Sequence, residues 1–127
     1  MTRKQLLEIW KIAKAVRREF SDKPRYQCIQ WTRALVNELV EMGYDAKHMY
    51  GMVLYDDWFK GDLDAWGDHH WAMINNVLVD ITGDQFNRKG FIESKARRIP
   101  SVNIVRWGDV EGKIYQWTDD GPVEIIS

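Results

Sequence analysis

Leu6, Ile9, Trp10, Ala13, Val16 and Phe20 recur at helical spacing with Lys, Arg and Glu between them, which predicts an amphipathic helix over residues 3–20. Ser21-Asp22-Lys23-Pro24 breaks that pattern. Trp31, Leu35, Leu39 and Met42 then trace one face of a second helix, with Cys28 in its first turn and Gly43 as its C-terminal stop. Residues 46–55 alternate and are rich in Met, Val and Tyr, as a strand would be, and the acidic residues 56–68, with Gly61 and Gly67, predict a loop long enough to be functional. Residues 70–74 and 77–81 flank Asn75-Asn76, a dipeptide suited to positive φ, so a β-hairpin is expected. Residues 82–89 predict a turn with a short helix, residues 102–107 and 113–118 two further strands, and residues 123–126 an edge strand.

The hairpin has a chemical consequence. Pairing across Asn75-Asn76 sets 74 opposite 77 and, further back, 71 opposite 80. His69, Trp71 and Met73 then share one face, His69 and Asp80 become diagonal neighbours on it, and His70 points the other way. The pattern as a whole predicts an α+β domain spanning residues 1–127, with N-terminal helices packed on an antiparallel sheet.

Composition narrows the classes of function. The chain has 127 residues, enough for one domain, and its 18 basic and 19 acidic side chains leave a net charge of -1. No overall field draws in nucleic acid or an anionic membrane. The basic residues of 88–98 read as a solvated face before an anion site, with too few aromatics to stack bases. The acidic 56–68 loop, carrying Trp58, Phe59 and Trp66, reads as solvated, or as a lid or partner surface. A single cysteine forbids an internal disulfide and fits a reducing compartment. Glu8 and Lys11 interrupt any signal-peptide core, and no stretch is apolar enough to span a membrane, so a cytoplasmic protein is expected. Seven Trp and five Tyr supply much buried area, or line a substrate groove; composition does not separate the two.

Cys28, His69 and Asp80, in that order, are the parts of a thiol acyl-transfer site: a sulfur nucleophile, an imidazole to take and return its proton, and a carboxylate to orient the ring. The partial positive charge at a helix start lowers a thiol pKa. Taken alone, Cys28 reads as a buried small hydrophobe; the company of His69 and Asp80 shifts that reading. A metal site is the chemical rival, but one Cys and two histidines on opposite strand faces do not supply three convergent ligands, so neither metal nor cofactor is expected.

Tyr26-Gln27-Cys28 at a helix start, His69-x-Trp71 on a strand and Asp80-x-Thr82 at the end of the next resemble the transglutaminase-like branch of the papain-like cysteine protease superfamily. The longer Asp80-Ile81-Thr82-x-x-Gln85-Phe86 is similar to small bacterial and phage relatives of that group. The likeness covers residues 25–86, and the chain departs from the pattern at Asp22, Tyr26 and Ile29. It implies a papain-like fold with Cys28 as nucleophile, His69 as general base and acid, and Asp80 as the orienting carboxylate. Gln27, Trp71 and Gln85 become candidates for oxyanion or substrate contacts, beside the Cys28 backbone N–H. The activity implied is hydrolysis or transfer at a peptide, protein or small amide through a thioester, as in a peptidase, deamidase or transglutaminase. The alternative keeps the fold without catalysis, as a module that captures a small ligand or a protein partner.

Overall fold

A computed structural model describes residues 1–20, 28–51, 69–87, 98–109 and 114–126. Helix α1 (Arg3–Glu19) opens with a capping box: Gln5 N donates to Thr2 Oγ1 at 3.1 Å and Thr2 N to Gln5 Oε1 at 2.9 Å, satisfying two N–H groups at the helix start. Ile9, Ala13 and Val16 form its buried stripe. Helix α2 (Cys28–Glu41) buries Trp31, Leu35 and Leu39 one turn apart. It stops where the pattern predicts, in a Schellman motif: Gly43 takes φ +95°, Tyr44 N reaches Leu39 O and Gly43 N reaches Val40 O, both at 3.0 Å.

Six antiparallel strands follow among the described residues: β1 (Ala46–Gly51), β2 (His69–Ile74), β3 (Val77–Asp80), β4 (Asn103–Arg106), β5 (Ile114–Thr118) and β6 (Gly121–Ile126). Their order across the sheet is β4-β3-β2-β1-β5-β6. The chain thus runs outward from β1 to one edge at β4, then returns to add β5 on the far side of β1. The predicted hairpin is present, with Ile74 opposite Val77 and Asn75 at φ 56°. The strand expected over residues 46–55 is described as far as Gly51, and its remainder, the acidic 56–68 loop and most of the basic 88–98 run lie outside the described residues.

Both helices pack on one face of this sheet, where Ile9, Ala13, Trp31, Leu35 and Leu39 meet Ala46, Ala72, Ile74 and Val79. Met49, Trp71, Met73, Leu78, Phe86, Ile99 and Ile114 form a second cluster on the other face. Strand alternation explains the division, since Trp71 and Met73 point one way and Ala72 and Ile74 the other. No helix among the described residues is long and apolar enough to cross a membrane.

Candidate functional site

His69 is the first residue of β2 and Asp80 the last of β3, so the hairpin brings them to the same end of the sheet. His69 Nε2 lies 2.7 Å from Asp80 Oδ2, with His69 2% exposed and Asp80 fully buried. A carboxylate only accepts, so the proton of this bond is on Nε2, and in the neutral ring the lone pair is then on Nδ1. Gln85 Nε2 donates to that nitrogen at 3.2 Å. The other carboxylate oxygen of Asp80 accepts from the backbone N–H of Thr82 at 2.9 Å, the Asx turn that this residue type favours, and at 3.4 Å from the Thr82 hydroxyl.

Packing fixes the ring as well. Phe86 meets His69 edge-on at a centroid distance of 4.9 Å, and Trp71 stacks beside it at 6.1 Å. A short 3₁₀ turn, Gly83–Phe86, supplies both Gln85 and Phe86, and Arg17 of α1 anchors it with two bonds to the Asp84 carboxylate at 2.8 and 2.9 Å. The same guanidinium donates to the Ile81 carbonyl and lies over the Trp31 ring of α2.

Of the residues singled out in the sequence, His69, Asp80, Trp71 and Gln85 come together at this end of β2 and β3. Cys28 opens α2; its side chain, and the whole of Gln27, lie outside the described residues. Trp71 is fully buried, and its indole N–H meets no acceptor among the described residues. By alternation, His69, Trp71 and Asp80 belong to the sheet face turned away from the helices.

His70 faces the helix side, as its strand parity requires. There its Nδ1 lies 2.9 Å from His48 Nε2, within a cluster of rings from Tyr50, Tyr115 and Trp117. Burial pushes His70 down to about 3, helped by the charges of His48, His69 and Arg33; burial and Arg33 push His48 down to about 4. Neither His48 nor Arg17 stands out in the sequence. Arg17 occupies an ordinary polar position of α1, and His48 gains meaning only from the pairing of β1 with β2. Among the described residues, no group of three or more His, Cys, Asp or Glu gathers to hold a metal ion.

Comparison of the chain with known protein families, with curated proteins and with solved structures finds no match.

Proposed function

We propose that this chain is a cysteine-dependent amide or acyl hydrolase or acyltransferase of transglutaminase-like, papain-like type, acting on a peptide, protein or small amide. One observation carries the reading: a buried imidazole bonded through Nε2 to a carboxylate, which in the neutral ring puts the lone pair on Nδ1. That is the state in which a histidine accepts a thiol proton. Cys28, at the N-terminal end of α2, is the nucleophile on this reading, and the helix start favours its thiolate.

The chemistry balances in two halves. Nδ1 of His69 takes the proton of the Cys28 thiol as sulfur attacks the substrate carbonyl, and the imidazolium then protonates the leaving amine as the C–N bond breaks. Water or a second amine attacks the thioester, giving its proton to Nδ1, and the thiolate departs and is reprotonated from the imidazolium. Gln85, which donates to Nδ1, yields that position to the thiol during the cycle.

A second reading, a papain-like binding module without catalysis, has its own support. His69 is nearly fully buried, Nδ1 already accepts from Gln85, and the ring lies on the sheet face away from the helix layer. Alkylation separates the two. The catalytic reading expects iodoacetamide to modify Cys28 rapidly at pH 6, and His69→Ala to slow this by roughly tenfold or more. Slow alkylation that follows an ordinary thiol titration, unchanged by His69→Ala, favours the binding module.

A further inference from the structure

We infer that Arg17 is a positioning residue that holds the Asp80–Gln85 segment in register with the first turn of the cysteine helix, an inference that rests on the thiol reading above. Its guanidinium joins two stretches of chain that are far apart in sequence, residues 81–84 and Trp31 of α2. Two parallel bonds at 2.8 and 2.9 Å hold Asp84, the residue before Gln85. A third reaches the carbonyl of Ile81, the residue after Asp80. Its carbon stands 5.2 Å from the ring centre of Trp31, one turn beyond Cys28.

Those contacts lie inside the site. Asp80 precedes the first anchored residue and Gln85 follows the second; between the anchors Thr82 gives its N–H to Asp80 Oδ1, and the 3₁₀ turn that contains Asp84 delivers Gln85 to His69 Nδ1. A planar fork is needed for this geometry, because it grips both carboxylate oxygens while leaving an N–H for the carbonyl. A lysine offers one ammonium and cannot span all three partners. With side-chain exposures of 14% for Arg17 and 22% for Asp84, the pair is sheltered enough to keep its geometry, and the Asp84 turn is open enough to tolerate substitution.

The experiment uses Arg17→Lys and Asp84→Ala in the full chain, read by NMR of the Gln85 side-chain amide and the His69 imidazole nitrogens, with Cys28 alkylation measured in parallel. In both variants the Gln85 amide is expected to move toward the signal of a solvated glutamine and the His69 Nδ1 signal to shift, while backbone amides of the Met73–Leu78 ladder keep their native positions. Alkylation of Cys28 at pH 6 is expected to fall roughly fivefold, the effect of about one hydrogen bond lost at Asp80 as the Ile81–Thr82 segment shifts; the Gln85 bond must give way to the thiol in any case, so its loss alone does not slow the reaction. Gln85 and His69 signals that stay at their native values in both folded variants overturn the inference, since a merely stabilising ion pair would lower stability and leave them unmoved. Failure of the thiol reading looks different: Cys28 of the native protein then reacts as an ordinary thiol and the variants match it, yet the Gln85 and His69 signals still move.

Discussion

With a side chain that has no exposed surface, Asp80 accepts from His69 Nε2, from the Thr82 N–H and, at longer range, from the Thr82 hydroxyl. Asp80→Ala removes every acceptor and strands two buried donors, each costing about 1–3 kcal/mol. The expected loss in urea unfolding is therefore about 2–6 kcal/mol. Asp80→Asn keeps an oxygen for Thr82 but turns an N–H toward His69 Nε2, so the ring must adopt the opposite tautomer. On the catalytic reading it should cost less stability than Asp80→Ala while slowing Cys28 alkylation as much; equal stability losses with native alkylation in Asp80→Asn would contradict the orienting role. The relation of His69 to Asp80 is legible in the sequence because alternation and a two-residue loop determine it locally. The Arg17–Asp84 pair is not, since it joins residues 67 positions apart and no periodic pattern encodes such a partner. The helix layer is likewise outside what a hairpin can reveal: alternation says that His69 and His70 diverge, but only the packed structure says which of them faces α2.

Helix α2 ends abruptly because Gly43 can take φ +95° and so close both bonds of its Schellman motif. A methyl group added there would meet nothing within 4 Å, so any penalty for Gly43→Ala is conformational and not steric. The expected destabilisation is about 1–2 kcal/mol, measured by urea unfolding. An unchanged midpoint would mean that the cap is not held in the left-handed conformation. Helix extents, the Asn75-Asn76 turn and the three later strands were all legible, because each rests on spacing, a stop signal or a turn dipeptide. Strand neighbours beyond that hairpin were not. Periodicity tells which face a residue takes but not which strand lies alongside, so the return of β5 to pair Tyr50 with Tyr115 has no local signature. β6 lies at the sheet edge, as its short apolar run predicts, and Pro122 suits it, because a residue without an N–H is tolerated on an edge strand.

Across the whole molecule, the helix-facing side of the sheet carries a pair of histidines, His48 and His70, whose burial links stability to pH. His48 and His70 share a hydrogen bond with Tyr50, Tyr115 and Trp117 around them and Arg33 contributing positive charge, so both imidazoles are held neutral, near 4 and near 3 respectively. The folded state therefore binds fewer protons than the unfolded chain, whose histidines titrate near 6.5. The resulting stability is complete above about pH 6.5 and is lost as pH falls through the interval toward 4 and then 3. Between pH 7.5 and 5 a single such imidazole accounts for about 2 kcal/mol, before most carboxylates begin to titrate. His48→Gln keeps an amide able to bond His70 Nδ1 but removes one titrating ring and its repulsion of the other. Urea midpoints at pH 7.5, 6 and 5 should fall steadily in the native protein and by roughly half as much in the variant, on the single-site linkage. Parallel declines in the two proteins would show that acid sensitivity arises elsewhere and that the imidazole pair does not couple protonation to the joining of β1 and β2.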